Sequence, residues 1–118
     1  MTEKLITIAG KQVNVGYCYA TELAFHSYTG KNIEDFDATQ PEHVIYLILS
    51  AVVSWHHAKN QNLPIKDEDL MYHISPKELI DAVSAIFSMR SEWYQLPKGE
   101  DAKGNDDDTS CEEDSEKN

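Results

Sequence analysis

The sequence predicts a mainly α fold with a short N-terminal β-hairpin (α+β), a small helical bundle around a central hydrophobic helix. Three observations carry that expectation. Val13 and Val15 alternate with Gln12 and Asn14 after a Gly10-Lys11 step, the period of a half-buried strand leaving a tight turn. Val44 to Trp55 is apolar apart from Ser50 and Ser54, too densely so for a helix with one wet face. Ser75-Pro76-Lys77-Glu78 sets serine at N-cap, proline at N1 and glutamate at N3, a capping box that opens a further helix.

In chain order, Lys4 to Ala9 and Gln12 to Gly16 are the expected strands, turning at Gly10-Lys11. A hairpin alone is marginal, so its Ile6, Ile8, Val13 and Val15 face needs a helix beneath it or strands from another copy. Tyr17 to Thr29 repeats apolar residues at Ala20, Leu23, Ala24 and Tyr28, with Gly30 at C′, and reads as the first helix. Residues 31–38 connect, with Ile33 and Phe36 as inward anchors. Thr39-Gln40-Pro41-Glu42 repeats the capping-box spacing, and the central helix runs from there to about Lys59. Asn60 to Pro64 is a loop, and Asp67 caps a short helix through Leu70, Met71 and Ile74. The last helix ends near Leu96 and places Leu79, Ile80, Val83, Ile86, Phe87, Arg90, Trp93 and Tyr94 on one face.

Charge divides the chain. Its 118 residues carry a formal charge of −11 and a pI near 4.7, and residues 99–118 alone hold nine Asp/Glu against two Lys. Residues 1–98 form one helical domain, large enough for a single core. Residues 99–118 lack the aromatic and branched side chains that would offset ordering entropy and are expected to be a disordered acidic tail. Phosphate-tracking nucleic-acid binding needs a basic stripe that is missing here, and the same deficit disfavours anionic membrane surfaces. Met1-Thr2-Glu3-Lys4 opens no apolar signal segment. The central apolar run falls short of the ~20 residues that span a bilayer. Cys18 and Cys111 stand far apart, which fits a reducing compartment better than a disulfide framework.

Residue types that carry chemistry occur without the matching spacing. Neighbouring His56 and His57 point about 100° apart on a helix, and no HxxxH or HExxH pair joins them to His26, His43 or His73. A His pair at a helix C-terminus is expected to stay solvated and complement the dipole. Asp67-Glu68-Asp69 and Asp106-Asp107-Asp108 lack the glycine and the closing glutamate of a calcium loop. Cys18, the one candidate nucleophile, reads first as buried packing beside Tyr17 and Tyr19. Lys66 to Arg90 loosely resembles a helix-turn-helix, but Glu78 and Asp81 would face phosphates. No enzyme, cofactor or metal site is expected. Aromatic residues are more informative. Tyr17, Tyr19, Phe25 and Tyr28 cannot all face inward, and Trp55, Trp93 and Tyr94 crowd two helix ends. Exposed apolar area of this kind marks protein partners. The candidate partner-binding residues are Tyr17, Tyr28, Trp55, Trp93 and Tyr94.

The order of these elements, with Tyr28-Thr29-Gly30-Lys31, Ile33-Glu34-Asp35-Phe36, Ile45 to Ala51, Asp69-Leu70-Met71-Tyr72 and an acidic tail, resembles the tail assembly chaperones of long-tailed bacteriophages and prophages over residues 4–96. The resemblance implies a non-catalytic role in the host cytoplasm. Such proteins coat the aggregation-prone helices of the tape-measure protein, recruit tail-tube protein, and leave before the virion is complete; many also have a longer, frameshifted form. Self-association is compatible with it. The alternative is an acidic DNA-mimic inhibitor or adaptor that binds a protein partner, with its charge in the tail.

Overall fold

The computed structural model describes residues 1–96; the acidic tail and Cys111 lie outside them. A hairpin of β1 (Thr2–Ile8) and β2 (Lys11–Tyr17) is followed by α1 (Tyr19–Thr29), α2 (Pro41–Ala58) and α3 (Pro76–Tyr94), with a 3-10 turn at Ile33–Asp35 and a π-helical turn at Asp69–His73. No helix among the described residues is long and apolar enough to cross a membrane.

The strands pair antiparallel with Ile8 opposite Lys11, Ile6 opposite Val13 and Thr2 opposite Tyr17. The turn is one residue earlier than the sequence implied. Its two loop residues are Ala9 and Gly10, at φ 52° and 80°, the positive φ at both positions that a type I′ hairpin turn has. Ile8, Val13, Val15 and Tyr17 are buried and Ile6 half-buried, so the expected inward face is the one that forms. It rests on helices of its own chain, β2 against α2 and β1 against α3.

α2 is the covered central helix: Leu47, Ile48, Leu49, Ser50, Ala51, Val52, Ser54, Trp55 and His56 are all buried on it. The two serines are accommodated by bonding back along the helix, Ser50 Oγ to Tyr46 O and Ser54 Oγ to Ser50 O. The expected capping box at its start does not form. Pro41 sits at N1 and makes Gln40 the N-cap, and Thr39 instead donates both N–H and Oγ–H to Asp37 Oδ1 at 2.9 and 2.7 Å. His56 is buried rather than solvated, its Nδ1 2.7 Å from Val52 O, while His57 is exposed.

The box at Ser75 does form: Glu78 N donates to Ser75 Oγ and Ser75 N donates to Glu78 Oε1. Glu78 also accepts from Ala9 N and Gly10 N, at 3.2 and 3.0 Å, which ties the hairpin turn to the start of α3. The acid at the other short helix works differently from expectation, with Asp69 rather than Asp67 accepting from a backbone amide, that of Lys66. α3 is rolled relative to the expected face. Ala82, Ile86 and Met89 are buried, whereas Ile80 is exposed.

Candidate functional site

α1 meets the hairpin through its first turn. Cys18, buried at the N-cap, gives its N–H to Thr21 Oγ1 at 3.2 Å, and that hydroxyl donates to Gly16 O at 3.1 Å. Thr21 and Phe25 therefore face the core, where Phe25 packs against Phe36 and His43. This turns the helix about 100° from the face that apolar periodicity indicated. Ala20, Leu23 and Tyr28 are exposed.

The outer face so created is apolar and bordered by acids. Tyr19 is 60% exposed and Leu23 54%, one turn apart on the same side. Beside them lies an open groove lined by Tyr19, Glu22, Leu23, His26, Ile33 and Glu34, about 220 Å³ in volume. The 3-10 turn forms its far wall because buried Ile33 anchors that turn and leaves Glu34 outward.

Glu22 organises the end of the groove nearest α3. Its Oε2 accepts from the Tyr17 phenol at 2.8 Å and from the Tyr94 phenol at 2.9 Å, and lies 3.6 Å from Arg90 Nε. That nitrogen is buried without a hydrogen-bond acceptor, so charge rather than a hydrogen bond holds it to Glu22. Arg90 Nη2 reaches across to Glu34 Oε2 at 3.3 Å, and its guanidinium lies 4.9 Å from the Tyr94 ring centre. Tyr94 is half-exposed yet held at both ring and hydroxyl. An exposed aromatic fixed in this way loses little entropy when a partner covers it. Burial, then the Glu22 hydrogen bond, pushes the Tyr17 phenol far above the usual tyrosine range. Tyr94 is raised chiefly by the Glu22 hydrogen bond.

The five aromatic candidates separate on this geometry. Tyr17 has no exposed surface and Trp55 only 9%, so neither stands on the open face expected of it. Tyr17 is the floor beneath Trp93, their rings 5.6 Å apart, and Trp55 closes the far end of the hairpin by donating Nε1–H to Glu3 Oε1. Trp93 is half-buried between Tyr17 and Tyr94. Tyr94 is half-exposed, its hydroxyl on the Glu22 that ends the groove. Tyr28 is open too, but lies at the opposite end of α1, stacked on Tyr46 with centroids 5.0 Å apart.

No family model, curated protein or solved structure matches this chain.

The site therefore rests on the geometry of its own residues. Glu22, Glu34 and Arg90, which hold it together, were not among the residues singled out from the sequence. The signal available was the spacing of Tyr19, Glu22, Leu23 and His26, which lines one helical stripe. Among the described residues no three His, Cys, Asp or Glu side chains are grouped to hold a metal ion.

Proposed function

We propose that this protein is a non-catalytic escort that holds a helical partner, and specifically a tail assembly chaperone that binds a tape-measure protein and recruits tail-tube subunits. The observation that carries the reading is the outer face of α1. Tyr19 and Leu23 expose apolar surface along a groove, and Glu22 at its end holds the hydroxyl of the exposed Tyr94. Exposed apolar side chains grouped on one face mark a surface that a partner covers, and a helix laid in a groove is a common way to cover it. The hairpin, central helix and Asp69–His73 turn follow one another as in the order that carries the resemblance to that chaperone family.

Carboxylate placement favours the escort over a DNA mimic. Glu3, Glu22, Glu34, Asp37, Asp69, Glu78 and Asp81 each accept a hydrogen bond from within the chain. A phosphate mimic would keep such groups free for a partner's cations. The test is co-expression of the N-terminally tagged chain with its neighbouring genes, followed by mass spectrometry of what co-purifies, with and without residues 99–118. The escort reading expects a very long helical protein in both preparations, with poorer solubility in the truncated one. Recovery of a DNA-binding enzyme or repressor, lost when the acidic segment is removed, would replace it with the inhibitor.

A further inference from the structure

We infer that the groove beside α1 takes a cationic amphipathic helix, its apolar stripe on Tyr19 and Leu23 and its Lys or Arg residues against Glu34. This rests on the escort reading and narrows its partner. The spacing is that of a helix seat. Tyr19 and Leu23 are one turn apart and both line the groove, so two anchors of an incoming helix spaced by one turn meet them.

Charge selects the occupant. The formally charged groups lining the groove are Glu22 and Glu34, joined by His26 and by no lysine or arginine. Arg90 stands behind them, already engaged by both carboxylates. Glu34 remains 65% exposed at the side chain, with that one arginine contact, and can receive a second cation. A second copy of this chain carries −11, and residues 99–118, which follow shortly after Tyr94 and Leu96, hold nine acids against two lysines. Either would bring like charge to an acidic rim, which disfavours docking. A helix with basic flanks meets complementary charge at Glu34 on the rim of the groove.

The experiment measures binding of two labelled model peptides to the full chain by fluorescence anisotropy. One is an amphipathic Leu/Lys helix, the other its Leu/Glu counterpart with the same apolar stripe. The Leu/Lys peptide is expected to bind, and more weakly as salt rises. Leu23→Glu should weaken it about tenfold and Glu34→Lys about threefold. Leu5→Glu, on the exposed outer side of the hairpin, should leave it unchanged. Equal or tighter binding of the Leu/Glu peptide, no binding of either, or an equal loss in Leu5→Glu would overturn the inference. The two readings fail separately. A native helical partner that co-purifies equally with wild type and Leu23→Glu removes this surface and keeps the escort. The absence of such a partner from the wild type removes the escort, even where the Leu/Lys peptide binds.

Discussion

Removing the hydroxyl of Thr21 while keeping its shape should unseat α1 from the hairpin. Thr21 is fully buried, and its Oγ1 both receives the Cys18 N–H and donates to Gly16 O. Thr21→Val keeps the branch and volume but strands a buried donor and a buried acceptor, each costing about 1–3 kcal/mol when left unpaired. The carbonyl retains a second lone pair, so the sum falls at about 2–4 kcal/mol, a large share of the stability of a domain this size. Thr21→Ser makes the complementary change: it keeps both hydrogen bonds and loses one methyl, worth about 1 kcal/mol. In urea unfolding followed by far-ultraviolet circular dichroism, Thr21→Val should lower the midpoint by roughly 1.5–3 M for a slope near ~1.3 kcal/mol/M. Thr21→Ser should lower it by under about 1 M. Hydrogen exchange at the Cys18 amide should accelerate in the valine variant only. A serine variant less stable than the valine variant would mean that packing, and not this hydroxyl, seats the helix.

Other consequences follow from the same contacts. The Tyr17 phenol is raised by burial and by Glu22, so the unfolded chain ionises it first. Its contribution to stability is whole below the ordinary tyrosine value of about 10 and is lost progressively above it. Tyr17→Phe should flatten the alkaline fall in stability, and an unchanged slope would contradict the assignment. Glu78 is held below the ordinary glutamate value by the Ser75, Gly10 and Ala9 amides. Its latch is complete above that value and opens as pH falls through the lowered one. The amide shifts of Ala9 and Gly10 should titrate together with a midpoint below about 4.3, and unlinked midpoints would refute a shared acceptor. Gly10 has φ 80° with open space where a Cβ would go. Gly10→Ala should therefore cost about 1 kcal/mol through backbone strain alone, measurable by urea unfolding, and a neutral result would argue against the left-handed loop.

The parts of the fold legible in the sequence are those where one residue pattern has one outlet. Ser75, Pro76 and Glu78 have no competing partner upstream, and their box forms as read. The apolar density of α2 leaves no face for water, and the helix is central. Ile33 and Phe36 are the apolar residues of a polar connector, and both pack inward. α1 carries two stripes of similar polarity. Leu23 and Tyr28 look more apolar than Thr21, so periodicity chose them. The decision belongs to two hydrogen bonds that Thr21 makes with residues at the end of β2, and hydropathy does not encode those. Turned by about 100°, the helix carries Leu23 from the expected inner face to the outside. Thr39 shows the complementary case: a correct capping residue stands one position too early before Pro41 and turns to Asp37. The Glu22 cluster brings Tyr17, Glu34, Arg90 and Tyr94 to α1 from three other segments, a convergence that exists only once α3 has crossed the hairpin.

The central claim is that the outer face of α1 holds a helical partner in solution, and the most direct measurement is the soluble fraction of a tape-measure protein co-expressed with this chain. Wild type should keep that long helical protein soluble and bound, and Leu23→Glu, folded to the same extent by circular dichroism, should leave it in the pellet. A tape-measure protein that stays equally soluble with both variants, or aggregates with both, would contradict the account.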